Sequence, residues 1–364
     1  MTILNQHRDD TSTAHRLPRE ATPGSTPEHL LRAFPWLIDR LEPGRLTEAD
    51  YLALDAGLDD FQGHGGGRGD VYRDGQSRQP LARAHGVAKL FDLVTPPGDR
   101  LRPWHVVADL LGGNGTLAHI ISLLLRDQAP RVVTSDLSRD QVRSALGRGL
   151  PALRQPAQRT HFADGAIDGA VFAYGTHHIP AADRPAALAE ANRMLRPGAR
   201  VVVQDFEEGT PTARWYSEAL DRFTGTGHDC VHFSRDGMSR LLADAGFVGV
   251  ELHEVDDSFH IVGGSPEGAL RDALHHVVAM FGMVRIPPAV LDDQDRLLDL
   301  LRPYFPGEPT VRPVPDGRYL AILPRVALVA VGTKPVPIAP WPNPILGPGP
   351  ATLQSAIVAP GVAG

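Results

Sequence analysis

The feature that most constrains this chain is a regular alternation of short apolar runs with amphipathic segments, which begins near Trp104. Such alternation is typical of a largely parallel sheet that is covered by helices on both faces. We therefore predict an α/β, doubly wound fold. The strand-like runs lie at 105–111, 131–136, 168–175, 200–206, 248–255 and 325–332.

The sequence on either side of this alternation predicts further units. Apolar residues at helical spacing precede it and also fill the long gap before the last strand-like run, whereas the final residues are rich in Pro and Gly. The predicted units are a disordered N-terminus (1–27), a helical cap (28–100), a cofactor-binding core (101–257), a helical lid or substrate insertion (258–322), a final core strand (323–335) and a Pro/Gly-rich tail (336–364).

Composition excludes several classes of partner. The formal net charge is −7 and only 6% of residues are aromatic, which argues against a nucleic-acid partner. Apolar runs fall far short of the ~20 residues of a membrane span, and Cys230 is the only cysteine, so no internal disulfide forms. We expect a cytoplasmic protein whose partners are a small-molecule substrate and a second copy of the chain, with no membrane contact.

A glycine-rich turn between the first strand and helix points to a ligand. Asp109 lies in the strand run just before the loop, and Gly113 and Gly115 allow a sharp turn and close approach of the backbone. Asp136 closes the second strand, where a carboxylate accepts hydrogen bonds from the two hydroxyls of a ribose. Because the carboxyl ends of neighbouring parallel strands meet at one edge, these residues predict a nucleoside-containing cofactor.

The turn favours one nucleoside cofactor over another. A nicotinamide dinucleotide favours G-x-G-x-x-G, whose third glycine is missing after Gly115, and Asp109 would repel a pyrophosphate. A carboxylate in that position suits the ammonium and sulfonium of S-adenosylmethionine (SAM). The residues therefore favour SAM, with an NAD-dependent oxidoreductase as the weaker alternative.

The sequence resembles the class I SAM-dependent methyltransferases, in particular those that act on small molecules. The resemblance covers roughly 82–257 and the strand at 325–332, and it rests on four motifs in the family's order. It implies a Rossmann-like, mostly parallel seven-stranded sheet, with the helical N-terminal cap and the helical insertion added to it. The motifs are Asp109–Gly115, Thr134–Ser138, His161–Ile179 and Ala189–Gly198.

The resemblance also implies which residues bind SAM and its product S-adenosyl-L-homocysteine (SAH). Two positions depart from the family: Leu111 replaces the first loop glycine, and Pro156 stands where an acidic contact to adenine is usual. Adenine recognition is therefore expected from the Ala157 backbone and the Gln158 side chain. The predicted cofactor-binding residues are Asp109, Gly112, Gly113, Gly115, Asp136, Leu137, Ala157, Gln158, Tyr174 and Tyr72.

Histidines are the candidates for proton transfer. His177 and His178 follow the fourth strand, close to where the methyl group is expected, and a neutral imidazole accepts a proton near pH 7. His228 is the third predicted catalytic residue. It lies near His232 in a polar cluster that also invites a metal interpretation, but the spacing lacks a metal-binding signature and no metal is predicted. For each histidine a structural role is the competing interpretation.

These observations predict a SAM-dependent methyltransferase that modifies a small, specialised metabolite. Because histidines and no lysine crowd the expected site, methylation of carbon or nitrogen is favoured over methylation of oxygen. The alternative from another class is a protein that binds SAM for a structural, electrostatic or regulatory purpose and transfers no methyl group. Formation of SAH during turnover distinguishes the two.

Overall fold

The structure is a computed structural model that describes residues 27–56, 74–225 and 231–337. Its α-helices are α1 (Pro27–Ala33), α2 (Glu48–Ala56), α3 (Ala84–Leu93), α4 (Thr116–Leu125), α5 (Arg139–Gly147), α6 (Arg184–Met194), α7 (Pro211–Arg214), α8 (Asp221–Phe223), α9 (Arg235–Asp244), α10 (Pro266–Phe281), α11 (Pro288–Leu291) and α12 (Gln294–Leu301). A π-helix, Trp215–Leu220, joins α7 to α8. Short 3-10 helices lie at Pro35–Leu37, Arg126–Gln128, Thr176–His178 and Arg302–Tyr304.

The strands form two sheets within the described residues. They are β1 (Val106–Asp109), β2 (Arg131–Asp136), β3 (Ala152–Arg154), β4 (Ile167–Phe172), β5 (Leu195–Asp205), β6 (Val248–Asp256), β7 (Phe259–Gly263), β8 (Thr310–Pro313), β9 (Tyr319–Leu323) and β10 (Val326–Thr333). The larger sheet has seven strands in the order β3-β2-β1-β4-β5-β10-β6. β10 runs antiparallel to both neighbours, and the other paired strands run parallel.

Helices cover both faces of the seven-stranded sheet. Alternate residues of a strand point to opposite faces, and in β1 Val107 belongs to one buried apolar cluster whereas Val106 and Ala108 belong to another. The same division recurs in β4 and β5. The predicted Rossmann-like, doubly wound, mostly parallel sheet is therefore confirmed.

The segment predicted as one helical cap contributes to both faces. Leu30 and Leu37, in and after α1, pack in the cluster on one face, whereas Val87 and Leu90 of α3 pack in the cluster on the other. The described parts of 28–100 are therefore divided between the two helical layers of the core.

The insertion before the last strand is not purely helical, which corrects the prediction for 258–322. It contains α10, α11 and α12, and also β7, β8 and β9, which form an antiparallel sheet in the order β7-β9-β8. These strands are four or five residues long. So short an alternating pattern is hard to separate from the helical periodicity around it, which is why the sequence did not reveal them.

Candidate functional site

A cavity of about 260 Å³ lies at the carboxyl edge of the seven-stranded sheet. This edge is the usual ligand crevice of a doubly wound sheet, because the loops that follow the parallel strands converge there. Ten of the predicted site residues line the cavity. They are Asp109, Gly112, Gly113, Asp136, Leu137, Ala157, Gln158, Tyr174, His177 and His178.

The loop between β1 and α4 forms one wall of the cavity. A side chain at Gly112 would place its Cβ 2.6 Å from both Asp109 Oδ2 and Thr134 Cγ2, so only glycine fits. Gly113 has a φ of 53°, and its N–H donates to Asp136 Oδ2 at 2.8 Å. The two glycines let this loop pass close to both carboxylates.

Asp109 is a buried carboxylate without a hydrogen-bond partner at Oδ2 among the described residues. Burial raises the pKa of Asp109 to about 8, and repulsion by Asp136 adds to the effect. A cation placed in the cavity would reverse this shift by stabilising the ionised carboxylate. The site therefore suits a positively charged ligand next to Asp109.

Asp136 and Gln155 are fixed by hydrogen bonds at the second wall. Asp136 Oδ1 accepts from the Ser138 N–H at 2.9 Å, in addition to its bond from Gly113. Gln155 donates from Nε2 to Ser135 Oγ at 2.7 Å and accepts from the His161 N–H at 2.8 Å. These bonds orient the strand ends before any ligand binds.

A buried His–Asp–His cluster lies beside the third wall. Asp205, the last residue of β5, accepts from Nδ1 of His177 and from Nδ1 of His232, each at 3.0 Å. The backbone N–H groups of His177 and Phe206 also donate to its carboxylate, each at 2.7 Å. Asp205 therefore holds two imidazoles in fixed orientations.

The hydrogen bonds to Asp205 determine the tautomers of the two imidazoles. Burial opposes ionisation of Asp205, but the His177 imidazole and the hydrogen bonds from His177 and His232 outweigh burial and hold the pKa of this carboxyl well below its usual range. An ionised carboxylate only accepts, so Nδ1 of each imidazole carries the hydrogen, and in the neutral form of either ring Nε2 carries the lone pair. His177, which lines the cavity, is therefore oriented as a proton acceptor through Nε2.

Among the described residues, His177, Asp205 and His232 are the group of side chains whose spacing could suit a metal ion. Their ligand atoms lie within 4.8 Å of one another. The hydrogen bonds to Asp205 account for that spacing, because two imidazole Nδ1 atoms at 3.0 Å from one carboxylate are at ordinary hydrogen-bond distance.

Tyr174 is held in an unusual backbone conformation at the end of β4. Its φ is 61°, in the left-handed region that non-glycine residues seldom occupy. Its N–H donates to Gln204 Oε1 and its hydroxyl donates to Asp257 Oδ1, both at 2.7 Å. Burial, and then the Asp257 charge, raise the pKa of Tyr174 well above its ordinary value, so its hydroxyl stays neutral.

Another wall of the cavity is apolar and aromatic. Tyr216 and Leu220 reach it from the π-helix, and Met280 and Phe281 reach it from the end of α10. The Tyr216 ring lies 5.2 Å from His177 and stacks on Phe206 at 4.9 Å between ring centroids. A π-helix displaces side chains from their α-helical positions and is frequent at functional sites.

Comparison with known proteins agrees with this geometry. A family model described as a methyltransferase domain matches residues 83–252. The chain is 25% identical over 198 residues to the ubiquinone/menaquinone biosynthesis C-methyltransferase UbiE of Cellvibrio japonicus, covering 47% of this chain and 78% of that one. It is 30% identical over 153 residues to a demethylmenaquinone methyltransferase of Mycolicibacterium vanbaalenii, covering 38% of this chain and 64% of that one.

The comparisons support a class I SAM-dependent methyltransferase.

Solved structures show a likeness to this methyltransferase in architecture. YcgJ of Bacillus subtilis is 16% identical with a TM-score of 0.43, covering 70% of this chain and 99% of that one. A geranyl diphosphate C-methyltransferase from Streptomyces coelicolor is 16% identical with a TM-score of 0.40, covering 68% of this chain and 74% of that one. These likenesses do not bear on the substrate of this chain.

The cavity fits SAM on the chemistry of its own residues. The buried Asp109 Oδ2 has no hydrogen-bond partner in the described part of the chain, and the space beside Gly112 admits no side chain. SAM is the cofactor of this methyltransferase family. Asp109 would face its positive charge and Asp136 its ribose.

Gly115 is the one predicted residue within the described ranges that does not line the cavity. Gly115 (φ 78°) is the left-handed residue that begins α4, and a Cβ there would lie 2.5 Å from the Leu150 side chain, so its glycine serves helix packing. Tyr72 and His228 lie outside the described residues, so their roles stay predictions.

Several residues in or beside the cavity were not predicted from the sequence. The sequence did contain a signal for Asp205, because it is an acidic residue at the end of a strand, as Asp136 is. The others come together only through the tertiary fold. They include Gln76, Arg83, Gln155, Tyr216, Leu220, Met280 and Phe281.

Proposed function

We propose that this methyltransferase transfers the methyl group of SAM to carbon or nitrogen of a small, largely apolar specialised metabolite bound between His177 and the aromatic wall. The observation that carries the proposal is one cavity shared by the carboxylates of the cofactor loop and by an oriented imidazole. Bound SAM would supply an electrophilic methyl group, and the chain would supply alignment and a dry site.

His177 is proposed to accept the proton that the acceptor molecule releases. Asp205 orients its ring and would stabilise the imidazolium that forms, since the carboxylate stays ionised inside the fold. His178 lies beside it, with ring centroids 4.4 Å apart, and is proposed to help position the acceptor.

The apolar wall supports an acceptor with a large hydrophobic surface. Tyr216, Leu220, Met280 and Phe281 offer few polar groups, as is usual in pockets for apolar ligands. Relatives that are named as quinone C-methyltransferases act at carbon, which agrees with the preference for carbon or nitrogen.

The alternative, that the chain binds SAM without transferring its methyl group, is separated by a product assay. We would incubate the protein with methyl-labelled SAM and three acceptors: 1,4-naphthalenediol for carbon, indole for nitrogen and catechol for oxygen. The proposal predicts SAH together with label on carbon or nitrogen. SAM binding without SAH from any acceptor would favour the alternative, and label on oxygen alone would contradict the atom preference.

A further inference from the structure

A second, smaller cavity of about 20 Å³ lies behind the aromatic wall of the main cavity. It has room for about one water molecule. Among the described residues, Phe281 alone lines both cavities, so its ring is the partition between them. The residues around the second cavity include Thr212, Trp215, Phe259, Val277, Phe281 and Arg325.

The partition is held by weak contacts. Phe281 is the last residue of α10, and Gly282 follows it with a φ of 64°, which ends the helix. Its ring meets Trp215 at 5.5 Å and Tyr216 at 5.8 Å between centroids, both edge-to-face. It is only partly buried, and displacing its ring breaks no hydrogen bond, because a phenyl side chain forms none.

The second cavity contains polar groups that lack partners. Thr212 Oγ1 and Trp215 Nε1 are buried, and neither has a hydrogen-bond partner among the described residues; Thr212 is 2% exposed and Trp215 is 6% exposed. Native proteins seldom leave such groups unsatisfied, so a water molecule or a ligand atom is expected to bond to them. An indole N–H only donates and a hydroxyl can donate, so a ligand oxygen is the partner that both could share.

The charged residue at this cavity, Arg325, is paired with Asp257, although its Nη1 has no hydrogen-bond partner among the described residues. Arg325 Nη2 lies 2.5 Å from Asp257 Oδ2, and its guanidinium stacks 4.2 Å from the centre of the Phe259 ring. The ion pair neutralises the arginine, so the cavity favours a neutral oxygen, such as a hydroxyl or carbonyl, over an anion.

We propose that Phe281 is a gate between two parts of one acceptor site, and that the acceptor is an elongated, largely apolar molecule with a neutral oxygen at the end remote from the methylated atom. The methylated end lies against His177, and the remote end displaces Phe281 and meets Thr212 and Trp215. This inference rests on the proposed function, because it takes the main cavity as the acceptor site.

Binding of a matched series of phenols tests the gate. The affinities of 4-methylphenol and 4-octylphenol are measured by calorimetry in the presence of SAH, and their ratio is compared between variants. Phe281→Ala removes the cost of displacing the ring, so the ratio should shift at least tenfold toward the long chain. Val277→Phe fills the second cavity and should shift the affinity ratio at least tenfold toward the short chain. Leu220→Ala enlarges only the main cavity and should change the affinity ratio less than threefold.

The polar end is tested with 4-(8-hydroxyoctyl)phenol. Wild type should prefer it over 4-octylphenol, and Thr212→Val, which keeps the side-chain shape, should reduce that preference about tenfold. A preference that survives Thr212→Val would overturn the assignment of the remote oxygen. A long-to-short ratio that stays constant in both Phe281→Ala and Val277→Phe would overturn the gate.

Two features keep these outcomes interpretable. Phe281→Leu is a milder truncation that serves if Phe281→Ala does not fold, and thermal melting of each variant identifies a folding defect. Because SAH has no methyl group to transfer, the binding assay reports on the gate even if no acceptor is methylated. Absence of SAH from the acceptor panel counts against the proposed function alone.

Discussion

Asp109 and Asp205 are both buried at the same sheet edge, yet their environments drive their protonation in opposite directions. Asp109 has no donor at Oδ2 among the described residues, and burial favours its neutral form. Asp205 accepts from two imidazoles and two backbone N–H groups and stays ionised. Asp109 is thus available to a cationic ligand, whereas Asp205 orients two histidines.

The raised pKa of Asp109 predicts a pH-dependent affinity for SAM. Without ligand the carboxyl is mostly protonated below about pH 8, whereas a cation binds the ionised form. The affinity should therefore rise with pH, by at most about tenfold per unit, and level off above about pH 8. Calorimetry between pH 6 and 9 measures this, with proton release detected from buffers of different ionisation enthalpy. Asp109→Asn should flatten the profile; an equally steep profile in that variant would contradict the assignment.

The orientation of His177 by Asp205 predicts a selective loss of rate. Asp205→Asn removes the ionised acceptor and disturbs the imidazole tautomer, so methyl transfer to 1,4-naphthalenediol should slow by roughly 10²-fold or more. The affinity for SAM should change little, since Asp205 is not among the residues that line the cavity. Single-turnover rates and calorimetry separate the two quantities. A rate close to that of wild type would show that the His–Asp–His cluster has only a structural role.

His178 gives a parallel test of the sequence prediction. His178→Ala should slow methyl transfer more than it weakens SAM binding, because the side chain lines the acceptor part of the cavity. Comparing its single-turnover rate with that of His177→Gln shows which imidazole accepts the proton. If both variants kept the wild-type rate, neither histidine would be the base.

At the scale of elements, local sequence signals identified the strand ends at which we propose that SAM binds. Asp109 and Asp136 each end an apolar run next to a turn, so a short window of sequence contains the whole signal. The acceptor half depends on contacts across the fold. Tyr216 and Phe281 meet 5.8 Å apart although they belong to a π-helix and to the insertion. No local periodicity predicts such a meeting.

The packing of α3 against the turn between β6 and β7 predicts a strong glycine requirement. A Cβ at Gly86 would lie 2.0 Å from Asp257 Oδ1, on the carboxylate that binds Tyr174 and Arg325. Gly86→Ala should therefore lower the free energy of unfolding by about 1–3 kcal/mol, as overpacking does. Gly147→Ala is the control, because nothing lies within 4 Å of its Cβ and alanine favours helix by up to about 1 kcal/mol. Denaturant unfolding measures both, and equal midpoints would refute the steric argument.

At the scale of the whole molecule, the sequence predicted the doubly wound sheet because alternating strands and helices leave few other architectures. It did not reveal the small antiparallel sheet of the insertion, whose strands are too short for a distinct period. Within the described ranges, no helix combines the length and apolarity that a bilayer crossing requires. Association with a second copy of the chain stays a prediction.

The account depends on SAM binding at the carboxyl edge of the sheet, with Asp136 on its ribose. The most direct test is a calorimetric titration of SAM into wild type, Asp136→Ala and Asp127→Ala. Asp127 is exposed beyond the end of α4, so its variant has the same change in charge without touching the cavity. We predict a Kd at least tenfold higher for Asp136→Ala and an unchanged Kd for Asp127→Ala. Equal affinity in all three proteins would contradict the proposed site.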